Sequence, residues 1–167
     1  GSSRQDAARG PMSPLFLLAA GAAGSLGYLL VTGQKPVIGN HGLMLVANAG
    51  NGQFLRPDVA EAFKQMAAAA AQDGTVLRAR SGFRSLVEQA ELYAKWKAGL
   101  YDVPAVAAPG KSNHGNGTAV EVAGASGRRI TYGSPEFHWL TAYAAAYGFG
   151  WTEGRKVNEP WHWVYEA

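Results

Sequence analysis

Past Gly33 the strand and helix signals of this chain come in an irregular order, and that order constrains the fold more than any single segment. A regular strand–helix alternation would point to a parallel sheet; its absence favours an α+β fold, a small antiparallel sheet with helices packed on one side. Leu43 to Ala47 reads as a strand, and Asn48-Ala49-Gly50-Asn51-Gly52 ends it with a strong turn signal. Pro57-Asp58 opens a helix to about Ala71, with Val59, Ala62, Phe63 and Met66 on one face, and Asp73-Gly74 stops it. Residues 75–80 alternate as a strand. Ser85 and Glu88 then have capping-box spacing for a helix to about Ala98, closed by Gly99. A Pro/Ala-rich loop over 101–111, a strand over 118–123 and a Gly-rich turn follow. Ser134-Pro135-Glu136 starts a helix to about Tyr147, residues 148–158 read as loop, and 161–166 as the last strand.

The expected organisation is a tail over 1–13, an apolar helix over 14–32, a linker over 33–42 punctuated by glycine and proline, and one domain over 43–167. Pro14 to Val31 contains no charged residue and just reaches membrane-spanning length. Gly21, Gly24 and Gly27 recur every third residue, a smooth face for close helix contact. Two readings stand for it: a membrane anchor or uncleaved export signal, or an apolar helix buried against a partner in an assembly.

The net charge of +3 is spread along the chain without a basic run, which gives nucleic acid no support as a partner. The chain has no cysteine, so disulfides and thiolate zinc sites are excluded.

Two late stretches carry chemistry: Ser112-Asn113-His114-Gly115-Asn116-Gly117-Thr118-Ala119-Val120-Glu121 and Asn158-Glu159-Pro160-Trp161-His162-Trp163. Alone, His114 reads as a turn histidine, His162 as a half-buried strand histidine and Glu159 as a surface carboxylate. Together they offer two imidazoles, a carboxylate ligand and a spare glutamate. Catalytic zinc commonly takes three such ligands and keeps one open position, and a further glutamate nearby can take a proton from the attacking water. His41 shows no partner in the sequence, and His138, in the first turn of the helix that Ser134 starts, reads as a core or surface packing residue.

The residues Ser112, His114, Gly117, Ala119 and Glu121, followed by Glu159-Pro160-Trp161-His162, resemble the motifs of the zinc D-alanyl-D-alanine carboxypeptidases and related phage endolysin peptidases, the VanY-like group. Ser81-Gly82-Phe83-Arg84-Ser85 with Gln89 is similar to a third element of that family, and the three blocks come in its order. The resemblance implies a compact α+β fold with Zn2+ in a cleft on the sheet. It implies metal ligands at His114, Glu121 and His162, a general base at Glu159, and an arginine, Arg84, that holds substrate and stabilises the oxyanion. Ser81, Gln89 and Ser112 become candidates for contact with substrate or for bracing those groups. The implied substrate is the peptidoglycan stem peptide, cut as a carboxypeptidase or within the stem, at the cell wall. Arg4 and Arg9 ahead of the apolar segment would then leave the peptidase facing outward, and a phage tail is the alternative setting.

Glu121 stands where the family has aspartate. Its extra methylene adds about 1.5 Å of reach, which leaves three readings: an adjusted site that still ligates, a weak site, or an inactive form retained as a stem-peptide binding module. If the backbone is unchanged, Glu121→Asp is expected to raise activity.

Overall fold

The computed structural model describes residues 33–101, 103 and 105–167; the tail over 1–13 and the expected apolar helix over 14–32 lie outside the described residues. The architecture is α+β, as the sequence predicts, with two small antiparallel sheets in place of one. Strands β1 (Gln34–Gly39), β2 (Gly42–Gly50) and β3 (Gln53–Leu55) form the first, in that spatial order. Strands β4 (Arg78–Ser81), β5 (Ala119–Ala123), β7 (His162–Tyr165) and β6 (Phe149–Gly150) form the second, in the order β4-β5-β7-β6.

Strand β1 corrects the expected linker over 33–42. Pro36 and the flanking glycines read as a break, yet Pro36 sits in β1 opposite Leu45 of β2. A proline is tolerated there because β1 is an edge strand, whose unpaired side does not miss its N–H.

Helix α1 (Pro57–Gln72) begins on Pro57 and buries Val59, Ala60, Phe63, Met66 and Ala70, a stripe at helical spacing that packs on β2. Phe63 meets Phe149 edge-on with centroids 6.1 Å apart. Burying side chains of this size stabilises by about 1.5–3 kcal/mol each, so α1 and the second sheet share one core of Leu55, Phe63, Met66, Val120, Val122, Leu140 and Trp163. Helix α2 (Leu86–Lys97) is capped as expected: the Ser85 hydroxyl accepts from the Glu88 N–H and the Glu88 carboxylate accepts from the Ser85 N–H. Helix α3 (Pro135–Tyr143) starts at the Ser134 cap, and its continuation to Tyr147 is a 3₁₀ turn. The expected loop over 148–158 instead holds β6 and a short helix α4 (Thr152–Lys156).

Candidate metal and catalytic site

Strands β5 and β7 bring the two distant motifs together. Glu121 lies directly opposite His162, and Ser81 of β4 opposite Glu121 on its other side. Cross-strand partners point to the same face of a sheet, so the pairing alone gathers the two motifs. His114 reaches that face from a 3₁₀ turn over Asn113–Asn116. The Ser112 hydroxyl caps this turn by accepting from the His114 N–H, and Gly117 ends it at φ 67°. That left-handed conformation suits glycine, and a side chain there would meet the Arg56 backbone, whose N–H donates to the Gly117 carbonyl at 2.9 Å.

A cavity of about 290 Å³ opens over this face, lined among others by Arg84, Gln89, Ser112, His114, Glu121, Arg129, Glu153, Glu159 and His162. Seven of the eight residues singled out from the sequence line it. Ser81 is the exception, lining a neighbouring depression that shares Arg84.

The imidazole of His114 is buried, and its Nδ1 lies 2.7 Å from the Gly82 carbonyl oxygen. A carbonyl only accepts, so Nδ1 carries the proton and Nε2 keeps its lone pair for a ligand. Burial, the neighbouring His162 and Arg84 together push the His114 pKa down to about 3, so the ring is neutral at any working pH. The His114 and His162 ring centroids are 5.3 Å apart.

Glu121 sits 8% exposed in the middle of a fully buried strand. A buried carboxylate needs a partner, and it has one: Nε and Nη2 of Arg129 both donate to its Oε2 at 3.0 Å. Arg129 returns beside the strand through the turn after Ala123 and lies over the Trp161 ring at 4.8 Å. A second carboxylate, Glu153 of α4, accepts from the Asn113 side chain and has its Oε2 3.4 Å from His162 Nε2. The His162 hydrogen bond, with the Asn113 one, holds its pKa below the usual range despite partial burial. Glu159, at the entrance to β7, has its Oε2 4.0 Å from His162 Nδ1. Burial raises its pKa, and the Glu121 and Glu153 charges add to the rise.

Arg84 donates to Gln89 Oε1 at 2.8 Å, and the buried Gln89 amide donates to the Ala107 carbonyl. Gln89 therefore aims the arginine and ties it to the loop over 101–111. The Arg84 N–H also donates to the His114 carbonyl, 3.2 Å away, so the arginine and the histidine share a backbone anchor.

Sequence reasoning missed Glu153 and Arg129. Arg129 had a faint signal: a Gly-rich turn after Ala123 returns the chain toward Glu121. Glu153 had none, being one glutamate in an unpatterned stretch.

The donor set suits zinc in kind: an imidazole with one nitrogen fixed by a backbone carbonyl, as in His114, is a usual ligand, and a second imidazole and carboxylates complete such sites. Among the described residues, however, no group of three histidine, aspartate or glutamate side chains already closes on one point.

The sequence model of the D-alanyl-D-alanine carboxypeptidase family, VanY, matches residues 52–167. Among solved structures, the chain is similar to a mutant of the vancomycin resistance D,D-pentapeptidase VanY from the VanB-type cassette in complex with Zn(II), at 26% identity and a TM-score of 0.58 over 74% of this chain and 79% of that one. VanYB in complex with D-alanine-D-alanine aligns at 28% identity and a TM-score of 0.59, over 74% and 78%. The L,D-carboxypeptidase DacB from Streptococcus pneumonia aligns at 26% identity and a TM-score of 0.53, over 78% and 79%. No match was found among curated protein sequences. With the family's profile spanning more than half of its length, this chain belongs to the VanY D-alanyl-D-alanine carboxypeptidase family.

Proposed function

We propose that this chain is a zinc-dependent peptidase of peptidoglycan stem peptides, acting as a D,D-carboxypeptidase. The observation that carries the reading is the cavity into which His114, His162, Glu159 and Arg84 converge from three separate segments. His114 and His162 would hold the ion together with a carboxylate of the cavity. Zinc, when bound, supplies a Lewis acid that polarises the scissile carbonyl.

The remaining chemistry belongs to the side chains. Glu159 takes a proton from the attacking water as the water oxygen bonds to the carbonyl carbon. It returns that proton to the amine as the C–N bond breaks, leaving a carboxylic acid and an amine, which ionise to carboxylate and ammonium. Its raised pKa brings the base closer to neutral pH, where proton transfer in both directions is efficient. Arg84, aimed by Gln89, places a fixed cation where negative charge develops on the carbonyl oxygen. Tyr101, Val103 and Val106 line the same cavity and would choose between a terminal D-alanine and a bond within the stem. Action on stem peptides would require the protein to work outside the cytoplasmic membrane, and residues 14–32 would then serve as an anchor or as a contact within an assembly such as a phage tail.

The Glu121–Arg129 pair favours a second reading, a stem-peptide binding module without turnover. Incubating the zinc-reconstituted full chain with a pentapeptide stem and following the peptide by mass spectrometry separates the two. Loss of one alanine supports the peptidase; binding without cleavage supports the module.

A further inference from the structure

We propose that the carboxylate ligand of the metal site in this chain is Glu153, with His114 and His162, and that Glu121 is a structural partner of Arg129. The inference rests on the zinc reading above and assigns a ligand that neither the sequence motifs nor the family resemblance contains.

Spacing is the first ground. Two ligands on a tetrahedral zinc with bonds of about 2.0–2.2 Å stand about 3.3 Å apart, and Glu153 Oε2 lies 3.4 Å from His162 Nε2. Two imidazoles on one such ion have centroids separated by about 5.2 Å, and those of His114 and His162 are 5.3 Å apart. Both separations match the edges of a ligand tetrahedron; without a metal the Glu153–His162 contact is a hydrogen bond, and zinc would take the place of its proton.

The second ground is how each carboxylate is held. Both guanidinium contacts to Glu121 fall on the same oxygen, at 3.0 Å, and Arg129 is itself braced over Trp161. An ion at Glu121 Oε2 would displace both of those contacts, and the guanidinium already offsets the charge that an ion would neutralise. Among the described residues, no arginine or lysine pairs with Glu153. Its fixed partner is the neutral amide of Asn113, the residue before His114, an outer-shell contact of the sort that orients a ligating carboxylate.

The third ground is the seat of α4. Gly154 has no side chain, and one would run into the His162 carbonyl oxygen and the Trp151 ring. The close approach this permits fixes the backbone of residue 153 beside His162, and Glu159 N–H, donating to the Gly154 carbonyl at 2.8 Å, locks the same corner.

The test is zinc affinity of the full chain, measured by competition with a chromophoric chelator, for the wild type, Glu153→Gln and Glu121→Gln, with the visible spectrum of the cobalt(II) forms alongside. Glu153→Gln is expected to weaken zinc by more than about 100-fold, beyond what loss of an outer-shell contact costs, and to change the cobalt bands. Glu121→Gln is expected to stay within about tenfold, the low end of an outer-shell loss, with the cobalt bands unchanged. Far-ultraviolet circular dichroism of each variant shows that it is folded; should Glu153→Gln fail to fold, Glu153→Asp, which shortens the arm, is expected to weaken zinc and shift the bands. Loss of zinc by Glu121→Gln equal to or greater than that by Glu153→Gln overturns the inference and leaves the zinc reading intact. A wild-type chain that takes up no zinc overturns the zinc reading itself.

Discussion

The two glutamates on either side of His162 invite comparison. Glu121 lies in a strand buried along its whole length, with its side chain 11% exposed and clasped by a guanidinium; Glu153 lies on a short helix with its side chain 42% exposed, beside an imidazole and an amide. A carboxylate in the interior must satisfy its charge permanently, because the strand cannot form around an unpaired ion. One at the rim of a cavity can remain charged and available. The difference teaches that a motif position need not fix a role: the glutamate at the motif's ligand position is paired with Arg129, and a glutamate outside every motif lies 3.4 Å from His162.

The largest expected effect bears on the chemistry both carboxylates surround. Glu159→Gln should lower kcat by about 10²–10⁴-fold, the usual worth of a general base, while zinc content measured by elemental analysis stays at the wild-type level. Loss of the metal instead would make Glu159 a third competitor for the ligand place and erase the contrast between Glu121 and Glu153. Arg84→Met should lower kcat by about 10²-fold, the scale of a lost oxyanion partner, again with zinc retained. Gln89→Ala, which only frees the arginine to swing, should cost about tenfold, nearer the low end for misplaced groups.

The comparison itself sharpens on stability. Arg129→Met leaves Glu121 buried without its partner and should destabilise folding by about 1–3 kcal/mol, less than a fully buried pair because the arginine is one-third exposed. Adding Glu121→Gln to it should recover most of that loss in urea denaturation. Glu153→Gln, at the rim, should change stability by no more than about 0.5 kcal/mol, as surface substitutions do.

Much of the fold was legible because its punctuation is local. Pro57, the Ser85–Glu88 capping box and Ser134-Pro135 mark helix starts that depend only on nearby backbone groups. The site motifs were legible because the side chains that meet in the cavity lie in three short blocks, and the β5–β7 register that joins two of them follows from their apolar neighbours. Strand β1 was hidden because Pro36 and Gly39 signal a break and only the partner strand overrides it. The Glu121–Arg129 pair depends on how tightly the turn after Ala123 folds back, and Glu153 depends on Gly154 packing against the His162 backbone; neither is a local property. The sequence expectation that Glu121→Asp raises activity assumed Glu121 to be the ligand. With Glu121 on Arg129, that substitution shortens the reach to the guanidinium and is expected to lower stability by about 1 kcal/mol without tightening zinc.

The most direct measurement is a crystal structure of the zinc-loaded chain at a resolution that fixes ligand distances. The account predicts one ion within about 2.0–2.2 Å of nitrogens from His114 and His162 and of an oxygen from Glu153, with Glu121 still forked by Arg129. An ion coordinated by Glu121, with Arg129 released and Glu153 turned to solvent, would contradict it.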